Sequence, residues 1–269
     1  MEITVAPGAA SERATERAFR AIARVHALMS AHEPTSDLGR LARARPGETI
    51  RIHTWTWRVL RRAHTLHQKT NGTFDPIAAA KFAVETDRLP RWYSSGISIA
   101  SSWSDVRLLS GNRVRLSRPI RFDLGGIAKG FAVDCAIAVL RSAGLDFGLV
   151  NAGGDMRAFG SRSWPIHVRK PDAPRELVPV GLLRDGAVAT SATYFSRQRQ
   201  RGVTTSALFA PAVGRSITGK TSATVFAPTC LLADALTKVL LCGGDSHTLR
   251  THRAHALLLT GGEGGLRAA

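Results

Sequence analysis

Apolar and polar residues alternate with two different periods along the chain, one typical of helices and one typical of strands. Apolar residues spaced at i, i+3, i+4 and i+7 indicate amphipathic helices, and more uniformly apolar segments of similar length indicate buried ones. Pro34 and the pair Asn71-Gly72 supply stop signals for the first two segments. The pattern predicts helices over residues 10–34, 54–72, 129–144 and 230–244.

The second pattern, in which apolar and polar residues alternate between turn signals, predicts strands. Residues 81–102 show neither periodicity, so we expect a long irregular segment there. The strand-like segments cover residues 105–124, with a turn at Gly111-Asn112, 147–154, 164–170, 178–191 and 255–265, the last ending in a turn. Helices and antiparallel-type strands alternate without a regular βαβ order. The sequence therefore predicts an α+β fold, as one domain over residues 1–269 built as a single unit or as two lobes.

Composition limits the classes of protein that remain. The 269 residues are 44% apolar, which is sufficient for a packed core, and no apolar run is long enough for a membrane span. No signal peptide or lipidated cysteine is visible, so we expect a cytoplasmic protein. The net charge of +17 comes mostly from scattered arginines. The sequence contains no known nucleic-acid-binding motif, so we expect no specific nucleic-acid partner. Biased codon usage and an anionic partner surface are both explanations of the high positive charge.

Residues 122–137, FDLGGIAKGFAVDCAI, combine glycines, a lysine and the start of a predicted helix. Gly125 and Gly126 allow backbone N–H groups to approach an anion, and the first helical turn carries Lys129. The spacing matches neither a P-loop nor a dinucleotide-binding turn. Two interpretations remain: a tight strand-to-helix turn with a solvated lysine, or a phosphate-binding cradle.

Two other segments have the same ambiguity. The segment NAGGD, residues 151–155, follows a predicted strand and is either an ordinary turn or a turn that faces the same ligand. In TNGTFDP, residues 70–76, Asp75 and Pro76 are a common turn pair. The carboxylate beside Phe74 could also clamp a planar heterocycle.

The helix predicted at residues 230–244 contains one acidic residue, Asp234, among apolar neighbours. A buried carboxylate must be paired, hydrogen-bonded or bound to a cation, because an unpaired buried charge is costly. Lys238 stands four residues later, where it can pair with Asp234. The alternative is a hard cation such as Mg²⁺, which prefers oxygen ligands.

Taken together and in order, the segments GTFDP, DLGGIAKGFAVD, NAGGD, VATS and APTCLLADALTK resemble the ApbE family of FAD:protein FMN transferases. The resemblance extends over nearly the whole chain. It implies an α+β fold with largely antiparallel sheets flanked by helices, and a site for FAD and Mg²⁺. Members of this family, often exported, transfer the FMN half of FAD to a Thr or Ser hydroxyl of an acceptor protein and release AMP.

The resemblance also implies roles for individual residues. The residues that match flavin-binding positions are His32, Thr73, Phe74, Asp75, Asp123 and Lys129. The candidates for the metal site are Gly126, through its backbone carbonyl, Asp234, and Thr237 or Lys238 in place of the family's second side-chain ligand.

The chemistry of pyrophosphate cleavage agrees with these assignments, because charge develops on phosphate oxygens and a cation beside a lysine stabilises it. Asp234 and Lys129 are therefore the predicted catalytic residues. An FAD pyrophosphatase that yields FMN and AMP and a non-catalytic flavin-binding paralogue are the alternatives. The sequence predicts no oligomeric state.

Overall fold

The computed structural model describes residues 1–96, 98, 100–194, 198–200, 203–244, 246–261 and 266–268. The chain divides into two compact units. The first unit contains Met1–Ala23, Lys129–Leu208 and Ser216–Ala269, and the second contains Arg24–Ala128 and Phe209–Arg215. The prediction of one domain over the whole chain stays a prediction.

Helices and short strands are interspersed along the whole sequence. The helices are α1 Ala9–Met29, α2 Asp37–Ala42, α3 Thr54–Lys69, α4 Pro76–Glu85, α5 Arg91–Ser94, α6 Ala128–Ser142, α7 Cys230–Leu241 and α8 Ser246–Thr251. The strands are β1 Glu2–Val5, β2 Thr49–Arg51, β3 Val106–Leu109, β4 Arg113–Leu116, β5 Phe147–Asn151, β6 Met156–Gly160, β7 Trp164–Arg169, β8 Leu177–Leu183, β9 Ala187–Ala192, β10 Gln198–Gln200, β11 Val203–Thr205, β12 Phe209–Ala210, β13 Arg215–Ser216, β14 Thr221–Ala227, β15 His255–Thr260 and β16 Leu266–Ala268.

The first unit is built on a seven-stranded sheet with the order β1-β5-β6-β9-β14-β15-β16. Neighbouring strands run antiparallel throughout this sheet. Helix α7 packs on β9 and β14. Because α7 is apolar on nearly all sides, it buries most of its surface, including its single acidic residue.

The second unit contains a small antiparallel sheet, β2-β4-β3, and an aromatic core. The Tyr93 hydroxyl is fully buried; it donates a hydrogen bond to the Phe122 carbonyl oxygen at 2.9 Å and accepts one from the Phe122 N–H at 3.1 Å. Trp103 packs against the Phe122 ring at a centroid distance of 5.7 Å. These contacts hold the chain segment that leads into the DLGG turn.

The predicted α+β class with antiparallel sheets and flanking helices is confirmed. The four predicted helices are present as α1, α3, α6 and α7, although α1 ends at Met29, before Pro34. The irregular segment expected at residues 81–102 is partly wrong, because α4 continues to Glu85 and α5 follows at Arg91–Ser94. The strand predicted at residues 255–265 is β15, while residues 262–265 lie outside the described residues. None of the helices within the described ranges is long and apolar enough to cross a bilayer.

Candidate functional site

The turn between β5 and β6 is the segment NAGGD, and it carries Asp155. The side-chain oxygen of Asn151 accepts a hydrogen bond from Gly154 N at 3.0 Å, and Ala152 N donates to the Asp155 carbonyl oxygen at 2.8 Å. Gly153 and Gly154 have φ values of +67° and +99°, a region that favours glycine. The sequence therefore fixes a tight turn that leads into Asp155 at the start of β6.

Helices α6 and α7 approach each other closely at their N-terminal ends. A Cβ atom added to Gly130 would lie 2.6 Å from the carbonyl carbon of Cys230 and 2.8 Å from Leu231 N, so only glycine fits without a shift of the backbone. Asp134, one turn along α6, accepts hydrogen bonds from Cys230 N and Leu231 N, both at 2.9 Å. Arg157 pairs with the same carboxylate at 2.6 Å. Asp134 thus satisfies free N–H groups at the start of α7.

The close approach of the two helices brings together two acidic and two basic side chains. Gly130 N donates to Asp234 Oδ2 at 3.0 Å, and Lys238 Nζ donates to Asp234 Oδ1. Lys129 Nζ lies 3.0 Å from Asp155 Oδ2. Asp155 and Asp234 are both 0% exposed, whereas the side chains of Lys129 and Lys238 are 41% and 21% exposed. We call Lys129, Asp155, Asp234 and Lys238 the charge cluster.

Electrostatic interactions couple the members of the charge cluster. Burial and the negative charge of Asp234 raise the pKa of Asp155 from 3.8 to about 6, against the opposing effect of Lys238 and Lys129. Burial opposes the charge on Lys129, yet the carboxylates of Asp155 and Asp234 raise its pKa overall. Lys129 is therefore an ammonium at neutral pH, with part of its surface open to solvent.

The hydroxyl of Thr237 has hydrogen-bond partners other than the carboxylate of Asp234. It donates to the Asp234 carbonyl oxygen at 2.7 Å and is hydrogen-bonded to the Ser191 hydroxyl, also at 2.7 Å. Lys238 pairs with the carboxylate, as the ion-pair interpretation of the sequence expected. The roles of Thr237 and Lys238 at a metal site stay predictions.

In the second unit, two of the predicted flavin-binding segments are neighbours. Asp75 caps α4, because its Oδ1 accepts hydrogen bonds from Ile77 N at 2.8 Å and Ala78 N at 3.2 Å. Asp123 N donates to the Pro76 carbonyl oxygen at 2.9 Å. The structure therefore joins the GTFDP and DLGG segments through their backbones.

The remaining predicted residues of the second unit differ in exposure. Phe74 is buried and Thr73 is half-buried, and both belong to the turn that precedes α4. His32 is exposed in the turn after α1, where its N–H donates to Ser30 Oγ at 3.2 Å. Gly126 is half-buried in the turn before α6. The flavin-binding roles of these residues stay predictions.

Asp155 is the site residue that the predicted set lacks. The sequence did offer a signal, since NAGGD follows a buried strand, but a carboxylate after Gly-Gly is also typical of an ordinary turn. Within the described residues no group of three or more His, Cys, Asp or Glu side chains could hold a metal ion. Two carboxylates do fit Mg²⁺, which proteins usually bind through one or two carboxylates together with substrate phosphates.

Comparison with known proteins identifies the family to which this chain belongs. The family model of the ApbE family matches residues 1–258, and the chain belongs to that family. Among solved structures, the chain is similar to the ApbE protein of Thermotoga maritima, with a TM-score of 0.83 and 24% identity over 99% of this chain and 92% of that one. It is also similar to the flavin transferase ApbE of Vibrio cholerae, with a TM-score of 0.77 and 23% identity over 100% of this chain and 90% of that one.

Curated relatives extend the comparison to proteins with named activities. The chain is 27% identical to an FAD:protein FMN transferase of Vibrio cholerae serotype O1, over 93% of this chain and 80% of the relative. It is also 27% identical to an FAD:protein FMN transferase of Rhodobacter capsulatus, over 74% of this chain but only 40% of the relative. A third relative with the same name, from Treponema pallidum, is 26% identical over 86% of this chain and 71% of its own length.

Proposed function

We propose that this protein is a transferase that moves the FMN half of FAD to a Thr or Ser hydroxyl of an acceptor protein and releases AMP, in a reaction that requires Mg²⁺. We infer this activity from relatives that are named FAD:protein FMN transferases and that match most of this chain. The observation that carries the proposal is the charge cluster, which gathers two buried carboxylates and two lysines at the start of a helix.

The reaction is a displacement at phosphorus, and it needs no nucleophile from the enzyme. The acceptor hydroxyl oxygen forms a bond to the FMN phosphorus while the bond from that phosphorus to the bridging oxygen of the pyrophosphate breaks. AMP leaves with the bridging oxygen and its electron pair. The proton of the hydroxyl passes to a carboxylate of the site, for which Asp234 is the predicted residue.

Lys129 supplies positive charge where the pyrophosphate accumulates negative charge. Its ammonium is partly exposed, and Asp155 holds it 3.0 Å away at the N-terminal turn of α6, where the helix dipole also favours an anion. A bound Mg²⁺ would neutralise charge on the phosphate oxygens, and Asp234 would hold it. On α7, Thr237 is the candidate second side-chain ligand, and Lys238 occupies the alternative position.

One observation favours a second candidate, a flavin-binding protein without catalysis. Both carboxylate oxygens of Asp234 already have partners, Gly130 N and Lys238 Nζ. A cation that binds Asp234 must therefore displace the ammonium of Lys238. If the ion pair is too stable to open, the protein would bind FAD and leave it intact.

The assay measures AMP release from FAD in the presence of Mg²⁺, with and without an acceptor protein that carries an exposed Thr. The transferase proposal expects AMP together with covalently flavinylated acceptor. Lys129→Gln should lower the rate by about 10²–10³-fold, the usual loss when one group that stabilises transition-state charge is removed. Lys170→Gln is the matched control, because Lys170 also forms an ion pair, with Glu176, and is exposed.

The outcomes separate the candidate functions. AMP released equally without the acceptor would favour FAD pyrophosphatase activity. FAD that stays bound and uncleaved under both conditions would contradict both enzymatic functions and favour the binding protein.

A further inference from the structure

Asp155 is the least satisfied member of the charge cluster. The residue is 0% exposed, and its Oδ1 has no hydrogen-bond partner in the part of the chain that the structure describes. Its Oδ2 lies beside Lys129 Nζ. Buried polar atoms in folded proteins nearly always have a partner, so an unpaired carboxylate oxygen at this depth points to a ligand.

The backbone of α6 ties Asp155 to Asp234. Two consecutive residues make the link: the side chain of Lys129 reaches Asp155, and the N–H of Gly130 reaches Asp234. The two carboxylates come from different elements, the β5–β6 turn and helix α7, and they meet at the first turn of a third. This arrangement does not follow from sequence proximity and depends on the close contact at Gly130.

The charges of the cluster match those of a divalent cation site. Two carboxylates are balanced by two ammonium groups, and each ammonium stands on a flexible stem with part of its surface in solvent. One divalent cation carries the same charge as the two ammonium groups. Lys129 and Lys238 can therefore turn toward solvent or substrate phosphate when a cation binds, without leaving the buried carboxylates unpaired.

We infer that Asp155 is a second carboxylate ligand, beside Asp234, for a hard divalent cation such as Mg²⁺ or Mn²⁺. Pyrophosphate oxygens of the substrate and water would supply its remaining ligands, as is usual for Mg²⁺ sites with few protein ligands. The inference rests on the proposed function for the identity of the substrate. Its structural basis is the unpaired Oδ1 of Asp155. A cation can bind this oxygen without first displacing a hydrogen-bond or ion-pair partner.

The first test measures Mn²⁺ binding by electron paramagnetic resonance of the free ion, with the full-length protein alone and then with ADP as the pyrophosphate probe; a sample of ADP without protein accounts for the Mn²⁺ that ADP itself binds. Asp155→Asn and Asp234→Asn should each weaken Mn²⁺ binding by about tenfold or more, since even residues that only support a metal ligand contribute that much. Asp185→Asn is the control, because Asp185 is a carboxylate of the same unit that pairs with Arg141 at the surface and lies outside the charge cluster. It should leave Mn²⁺ affinity unchanged.

A second test detects the metal bond itself. In Asp155→Cys, a thiolate at position 155 would bind Cd²⁺ and give a thiolate-to-metal charge-transfer band in the ultraviolet, measured against the wild type with its own three cysteines. A residue that only anchors Lys129 would give no such band. Circular dichroism of each variant verifies that it is folded.

The results distinguish this inference from the proposed function. If Asp234→Asn loses Mn²⁺ while Asp155→Asn retains it and Asp155→Cys gives no band, Asp155 is not a ligand and the proposed function stands. If the wild type binds no Mn²⁺ even with ADP, the inference and the metal requirement of the proposed function both fail. AMP release that persists in a chelator would separate the metal requirement from the transfer reaction.

Discussion

Gly130→Ala is expected to destabilise the protein, although alanine is the better residue for a helix. Gly130 lies in the first turn of α6, and its Cα faces the backbone of α7. An added Cβ would lie 2.6 Å from the carbonyl carbon of Cys230 and 2.8 Å from Leu231 N. Both are backbone atoms, so a side-chain rotation cannot relieve the clash, and one helix must move.

Gly130→Ala has one stabilising and two destabilising effects on the free energy of unfolding. Alanine in place of glycine favours the helix by about 0.5–1 kcal/mol. Overpacking of a tight contact costs about 1–3 kcal/mol. If α6 moves, the 3.0 Å hydrogen bond from Gly130 N to the Asp234 carboxylate weakens, which costs up to about 1.5–3 kcal/mol for a bond to a charged group. The net loss is about 2–5 kcal/mol, a large part of the about 5–15 kcal/mol that stabilises a typical protein.

Urea unfolding, followed by circular dichroism and by tryptophan fluorescence, measures this loss as a decrease in the transition midpoint. The control is Gly186→Ala, because the nearest atoms to a Cβ at that position are 3.7 Å away, an ordinary contact. That substitution should be neutral or stabilising by up to about 1 kcal/mol, through the unfolded chain. A Gly130→Ala variant as stable as Gly186→Ala would refute the close contact between the helices.

Three further predictions concern single groups. Asp134→Asn should lower the free energy of unfolding by about 1–3 kcal/mol, because one amide oxygen replaces two carboxylate oxygens that accept N–H groups at the start of α7; an unchanged melting temperature would contradict this role. Tyr93→Phe should cost about 1–3 kcal/mol, since it leaves the buried N–H and carbonyl of Phe122 without their partner, and a urea midpoint equal to that of the wild type would argue against it. The pKa of Asp155 is raised from 3.8 to about 6 by burial and by the charge of Asp234, so the folded state binds this proton more tightly than the unfolded state. The resulting stability is present below about pH 4 and is lost as the pH rises to about 6. The free energy of unfolding of Asp155→Asn relative to the wild type, measured in a chelator, should therefore shift in favour of the variant over that range, and a constant difference would count against the raised pKa.

The elements that the sequence predicts well are those whose apolar pattern is long. Helices α1, α3, α6 and α7 each span three or more turns, so their periodicity is distinct from that of strands. Helix α4 is absent from the predicted helices, although the sequence contains a signal for its start. Asp75 followed by Pro76 is a turn pair, but it is also an N-cap residue with proline at the first helical position, and that is the arrangement found.

The sequence predicts a residue of the candidate site only where the neighbours of that residue in the same helix or strand indicate that its side chain is buried. Asp234 is surrounded by apolar residues of its own helix, so its burial follows from the sequence. Asp155 is preceded by a polar, glycine-rich turn, which resembles an exposed loop. It is nevertheless 0% exposed, and the charged groups that interact with it, on α6 and α7, lie more than twenty positions away in the sequence. Local pattern carries no information about such a contact.

The offset of one residue between Thr237 and Lys238 has a direct structural consequence. Successive residues of an α-helix are rotated by about 100°, so two neighbours cannot face the same ligand in the same way. Lys238, four residues after Asp234, lies on the same side of α7 and reaches its carboxylate, while the Thr237 hydroxyl turns to the Asp234 carbonyl and to Ser191. Without a metal, the ammonium group of Lys238 is therefore the cation that pairs with Asp234. Any divalent cation at this site must compete with Lys238, and the unpaired oxygen of Asp155 is the donor that requires no such competition.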